Sequence, residues 1–165
     1  MYYPLTDKIV ATAPRVASRS TRAALGGVSE YSRGARNLTF DDRPVILFVR
    51  DPIERFESGF RQLVHSNEVL VNYVGLVDAV LDGGYGNLHF TPQYDYHNAL
   101  FSDDFSGELR MYPFEDINEL WPDVVGVGTL PVIGAGSGPP KQEYDYRRDE
   151  LLEWFVKDME LRSAL

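Results

Sequence analysis

Arg43-Pro44-Val45-Ile46-Leu47-Phe48-Val49-Arg50-Asp51-Pro52-Ile53-Glu54-Arg55-Phe56-Glu57-Ser58-Gly59-Phe60-Arg61-Gln62 holds the plainest structural signal in the chain. Val45 to Val49 is an unbroken apolar run, the pattern of a parallel strand covered on both faces. Asp51-Pro52 follows at once, a capping residue with proline at the first helical position. The spacing predicts a helix from there to about Val64. At about 100° per residue, Ile53, Phe56, Phe60, Leu63 and Val64 share one arc and should face the core. Arg55, Ser58 and Gln62 cluster on the opposite arc. Arg50 closes the strand at its carboxyl end, where open α/β sheets place their ligands.

Upstream, Lys8-Ile9-Val10-Ala11-Thr12-Ala13 reads as a short buried strand stopped by Pro14. Ser18 to Leu25 reads as a helix, with Ser and Thr suited to capping and Gly26-Gly27 closing it. Downstream, Val69 to Leu81 predicts a helix ending at Gly83-Gly84, and Tyr85 to Phe101 is aromatic and irregular. Leu109-Arg110-Met111-Tyr112 predicts a third strand, and Phe114 to Trp121 a short helix. Gly126 to Pro140 carries five glycines and three prolines and reads as a long loop. A last helix, Arg148 to Arg162, sets Leu151, Leu152, Phe155, Val156 and Met159 on one stripe. Strand–helix alternation points to α/β architecture: one small three-layer domain over residues 1–165 with a central parallel sheet.

At 165 residues, 44% hydrophobic and 25% charged, the chain is long and apolar enough to build a core without staples. It has no cysteine, which excludes disulfides, thiolate metal sites and a cysteine nucleophile. Sixteen Lys and Arg stand against 25 Asp and Glu, a net charge of −9. That balance opposes general nucleic-acid or anionic-membrane binding. An anionic small molecule stays possible if the cations gather at one place. No stretch approaches the roughly 18 apolar residues of a spanning helix, and the start lacks a leader pattern, so a cytoplasmic protein is expected.

Two strand-to-helix turns suit phosphate. In Ala13-Pro14-Arg15-Val16-Ala17-Ser18-Arg19-Ser20-Thr21, small residues let backbone N–H groups approach an anion at a helix start. Arg15 and Arg19 add full charges; Ser18, Ser20 and Thr21 add hydroxyls. The plain alternative is a capped helix with two solvated arginines. The turn lacks the Gly-x-x-x-x-Gly-Lys-Ser/Thr of a Walker loop, which counts against a P-loop kinase. At the second turn, the Arg50 guanidinium can grip a phosphate bidentately and Ser58 can add a hydroxyl. Its alternative is an Arg50 paired with Asp51 or Glu54, beside an exposed serine.

Together the turns resemble the sulfotransferases that use 3′-phosphoadenosine-5′-phosphosulfate (PAPS). Pro14-Arg15-Val16-Ala17-Ser18-Arg19-Ser20 is similar to that family's Pro-Lys-x-Gly/Ala-Ser-x-Ser loop, with arginine at the lysine position. Arg50-Asp51-Pro52 followed by Ser58 resembles its 3′-phosphate motif. His89-Phe90-Thr91-Pro92-Gln93 is similar to the His-Trp-x-Pro-Gln segment of the carbohydrate sulfotransferase branch. Tyr112-Pro113-Phe114-Glu115-Asp116 and Phe155-Val156-Lys157-Asp158 resemble further elements, all in family order over most of the chain.

The resemblance implies a P-loop-like, sulfotransferase-like fold and PAPS as cosubstrate, bound by Arg15, Val16, Ala17, Ser18, Arg19, Ser20, Thr21, Arg50 and Ser58. It also implies an acceptor hydroxyl, on a glycan, and no metal. Arg15 stands where the family's lysine serves the leaving group; it can stabilise negative charge but is a poor proton donor. The acceptor needs a base, and His65, His89 and His97 titrate near neutral pH. His89 is preferred for its segment, with His97 second and Glu30 a carboxylate alternative. Tyr85, Phe90, Tyr94 and Tyr96 are candidates to stack on a sugar, or are core. Lys141 and Gln142 end the Gly/Pro loop. An inactive nucleotide-binding module is the alternative function, favoured by Arg15 and the short chain.

Overall fold

The computed structural model describes residues 1–25, 42–66, 72–83, 85–132 and 144–165. Its centre is the expected strand, β3 (Val45–Val49), buried along its whole length. A shorter strand, β2 (Ile9–Ala11), runs parallel on one side with Ile9 opposite Val45. On the other side β4 (Leu109–Pro113) is also parallel, with Val45 opposite Leu109 and Val49 opposite Pro113. Sequence reading missed β1 (Tyr2–Pro4), which pairs antiparallel with β2 and makes the order β1-β2-β3-β4. Three residues ending in proline are too short for a period-2 signal and suit an edge. The chain is thus mixed α/β with a four-stranded, mostly parallel sheet.

Alternation along the strands supplies two apolar faces. Tyr3, Val10, Ile46 and Phe48 pack against Ile117 and Trp121 of α5 (Ile117–Val124). Tyr2, Ile9, Ala11, Val45, Leu47 and Val49 meet Leu100 and, at the margin, Leu161 of α7 (Val156–Ser163). A third cluster is helical. Ile53, Phe56, Phe60 and Leu63 of α2 (Pro52–Ser66) meet Tyr73, Leu76, Val77 and Val80 of α3 (Tyr73–Leu81), together with Leu151 of α6 (Arg148–Trp154) and Phe155. Phe56 anchors it with edge-on contacts to Tyr73, Phe90 and Phe155 at 5.9, 5.0 and 6.2 Å. Each such pair adds about 0.5–1.5 kcal/mol beyond area burial.

Local signals hold where they are chemical. Asp51 Oδ1 accepts the Glu54 N–H at 2.8 Å, the cap expected for α2. Gly83 ends α3 at φ 75°, a conformation without penalty only for glycine.

Three expectations change. Val64 is 38% exposed, because α2 is enclosed around residues 52–60 and emerges at its last turn. The last helix breaks at Phe155 (φ −99°, ψ 19°), so Phe155 stays in the core while Val156 is 51% exposed. The irregular stretch before β4 contains α4 (Gln93–Tyr96) and a 3₁₀ turn, Asn98–Phe101. Gly26, Gly27, Glu30, Val69, Gly84, Gly134, Gly136, Gly138, Lys141 and Gln142 lie outside the described residues. Among the described residues, no helix is long and apolar enough to cross a membrane.

Candidate functional site: an arginine-lined cleft

The turn from β2 into α1 (Ser18–Ala24) has an uncommon backbone. Arg15 and Ala17 are both left-handed, with φ 67° and 48°. Each such conformation costs a non-glycine residue about 1–2 kcal/mol and persists only where the surroundings enforce it. Here Val16, between them, is fully buried in the cluster of Ile46 and Phe48. Its N–H reaches Ala13 O at 3.1 Å, Arg50 Nη1 donates to Arg15 O at 3.0 Å, and Tyr3 OH donates to Ser18 O at 3.0 Å. Because Ala17 turns the chain into α1, Ser18 becomes the first helical residue, and no side chain caps the helix.

The turn throws the Arg15 side chain toward α2. Nε and Nη2 donate to Ser58 Oγ at 3.1 and 2.9 Å, and Nη1 donates to Gln62 Oε1 at 3.1 Å. Arg19 Nη2 reaches the same Gln62 oxygen at 3.5 Å. The two turns separated in sequence therefore meet in space. Beside them opens a cleft of about 480 Å³, with Arg15, Ser18, Arg19 and Arg22 on one wall. Gln62, Asn87, His89 and Tyr96 line it as well. No carboxylate is among the described residues that line it.

In a chain of net charge −9, three arginines, Arg15, Arg19 and Arg22, line this cleft. Burial first, then Arg19, Arg50 and Arg61, push the Arg15 guanidinium down to about 10, so it remains charged at neutral pH. Like charges held together at a concave, partly desolvated place favour an anion.

Arg50 stands behind the turn rather than on the cleft wall. Its guanidinium bonds Arg15 O, lies 4.9 Å over the Phe114 ring and pairs with Glu54 at 3.8 Å. Burial lowers its pKa, partly offset by Glu54. Arg50 Nε is buried without a hydrogen-bond partner, and so is Thr21 Oγ1. Val16, Ser20 and Thr21 are buried and do not line the cleft, and the N–H groups of Val16 and Thr21 are already bonded to Ala13 O and Ala17 O. Ser58, expected on a polar arc, is 5% exposed and takes two hydrogen bonds from the Arg15 guanidinium.

Of the histidines, only His89 lines the cleft. Its N–H donates to Asn87 Oδ1 at 2.9 Å, and Arg55 donates to its carbonyl at 3.2 Å. His97, the second choice as base, is fully buried with Nδ1 3.0 Å from Tyr2 OH; burial holds its pKa well below 6.5. It is a core imidazole. His65 is exposed in the last turn of α2. Among the aromatic candidates Tyr96 lines the cleft. Phe90 is core, Tyr85 leans on it at 5.6 Å, and Tyr94 stacks on Phe101 at 4.8 Å.

Sequence reading did not single out Gln62 or Arg22 as site residues. Both carry a helical signal: Gln62 lies one turn after Ser58, and Arg22 one turn after Arg19. No protein-family model, curated protein or solved structure matches this chain.

Proposed function

We propose that this chain is a PAPS-dependent O-sulfotransferase of sulfotransferase-like fold that acts on a hydroxyl acceptor, a carbohydrate. The observation that carries the reading is the convergence of the two motif-bearing turns: Arg15 bonds Ser58, and Arg50 bonds the Arg15 carbonyl. Neighbouring parallel strands already bring their carboxyl ends to one edge; the resemblance predicts in addition that the motif side chains meet there, as Arg15 and Ser58 do.

Sulfuryl transfer needs in-line positioning and stabilisation of charge on the departing oxygen. The acceptor oxygen forms a bond to sulfur while the bond from sulfur to the bridging phosphate oxygen breaks. The acceptor proton passes to His89, and the electron pair leaves on adenosine 3′,5′-bisphosphate. Arg15, charged and already aimed into the cleft wall, stabilises that developing charge. Arg19 and Ser18 hold the phosphosulfate end. The 3′-phosphate is assigned to Ser58 and Arg50 on the resemblance alone; in this structure Ser58 bonds Arg15 and Arg50 bonds the Arg15 carbonyl from behind the turn.

Calorimetry with adenosine 3′,5′-bisphosphate tests the binding half. Preference for it over AMP is expected, and equal affinity for the two contradicts the assignment. A second reading is a nucleotide-binding module without transfer, favoured by the three bonds that occupy Arg15. Labelled-sulfate transfer over a glycan panel separates them: binding without transfer selects the module.

A further inference from the structure

Three buried polar side chains, from α2, α4 and α7, converge on the segment that carries His89. Arg55, Gln93 and Asp158 are 0%, 2% and 0% exposed. Arg55 Nη1 donates to His89 O at 3.2 Å and Nη2 to Thr91 O, while its guanidinium lies 5.8 Å from the centre of the Phe155 ring. Asp158 Oδ2 and Oδ1 accept the N–H groups of Gln93 and Tyr94, each at 2.8 Å. The Gln93 amide closes a two-bond pair with a single residue's backbone: Nε2 donates to Arg50 O at 2.8 Å, and Oε1 accepts Arg50 N–H at 3.2 Å.

An apolar trio would pack as well and avoid burying two charges, which is unfavourable unless they are matched. What polar groups add is direction, since each carbonyl and N–H must be met at hydrogen-bond distance. Segment 89–92 precedes α4 and has no strand or α-helix of its own to fix its carbonyls. Arg55 holds its carbonyls directly, Phe90 seats it in the core, and Asp158 and Gln93 hold the start of α4 that follows it. Gln93 fastens it to the peptide that bears Arg50, so the His89 segment and the arginine turn share one anchor.

We propose that Arg55, Gln93 and Asp158 are positioning residues that hold the His89 imidazole in register with the Arg15–Ser58 grip across the cleft. This role rests on the transfer reading above. None of the three touches the reacting groups. A displacement of the base by about 1 Å lowers turnover by about 100-fold while leaving ligand contacts elsewhere intact.

The test compares wild type with Arg55→Lys, Asp158→Asn and Gln93→Met by circular dichroism, labelled-sulfate turnover, calorimetry with adenosine 3′,5′-bisphosphate and the proton resonance of the His89 ring. In folded Arg55→Lys and Asp158→Asn, kcat should fall by about 10- to 100-fold with nucleotide Kd changed less than about threefold. The His89 Cε1–H resonance should shift while that of exposed His65 does not. Wild-type kcat with an unmoved His89 resonance in either folded variant overturns the proposal, as does a proportional loss of kcat and affinity. Gln93→Met keeps the volume and removes the hydrogen-bonding amide; should both other variants unfold, an unmoved His89 resonance there overturns it equally. Failure of the transfer reading is separately visible, because wild type then neither turns over nor prefers the bisphosphate, while the resonance comparison is still read.

Discussion

Gly59→Ala on α2 sets helix propensity against packing. In a helix interior, alanine is favoured over glycine by about 1 kcal/mol. Here the new Cβ would lie 2.9 Å from Phe90 Cε1, 3.3 Å from Phe90 Cζ and 3.5 Å from the His89 Cβ. The ring cannot simply swing away, because Phe90 is 1% exposed and packed by Phe56 at 5.0 Å and Tyr85 at 5.6 Å. Overfilling a packed core costs about 1–3 kcal/mol, so packing outweighs propensity by about 1 kcal/mol. For a chain of this size that lowers Tm by about 2–4 °C. The displaced ring also moves His89, its chain neighbour, so kcat should fall about tenfold while bisphosphate affinity holds. Urea titration and transfer kinetics on wild type, Gly59→Ala, Phe90→Leu and the double variant give a complete cycle. Phe90→Leu makes room for the methyl, so the double variant should be more stable than the two losses summed. A Gly59→Ala protein stabilised by about 1 kcal/mol, or one whose effect ignores Phe90→Leu, refutes the reasoning.

Gln62→Glu places a carboxylate where the Gln62 oxygen now meets Arg15 at 3.1 Å and Arg19 at 3.5 Å. Affinity for adenosine 3′,5′-bisphosphate should fall at least about tenfold by calorimetry, because the arginines are then neutralised from within. His97 gives a pH dependence with a defined sign. Burial keeps it neutral in the folded protein, whereas the unfolded chain takes up a proton near 6.5. Acidification below that value therefore favours unfolding, by up to about 1.4 kcal/mol per pH unit. Urea midpoints between pH 7 and 5 should fall more steeply for wild type than for His97→Gln, and parallel profiles would count against it. Ser58→Ala leaves Arg15 Nε and Nη2 without their acceptor and should destabilise the ligand-free protein by about 1–3 kcal/mol in the same urea assay.

What the sequence made legible were features with strictly local causes. The apolar run of β3, the Asp51 cap with Pro52 behind it and the stripe Ile53–Phe56–Phe60–Leu63 all appear as read. The proximity of the two turns followed from parallel strands whose carboxyl ends share one edge. What stayed hidden depends on partners distant in sequence. Arg55 and Ser58 occupy a polar arc, yet both are buried: residues 89 and 91 offer carbonyls to Arg55, and the Arg15 guanidinium bonds Ser58. Asp158 follows Leu151 by seven residues and so shares its buried side of the helix, but that it accepts the N–H groups of Gln93 and Tyr94 there depends on tertiary contact. His97 likewise reads as a reactive histidine, and only tertiary contact with Tyr2 shows it to be interior.

With φ at 67°, Arg15 departs from the main chain along a direction fixed before its own torsions are chosen. Handedness of one peptide turn thus sets the heading of the charge, and side-chain length sets only its reach. A lysine would inherit the heading and lose the forked end. A valine or isoleucine would reject the left-handed geometry and unsettle the turn itself. Rotating that single backbone angle back to negative values would turn the guanidinium away from Ser58 without altering any residue.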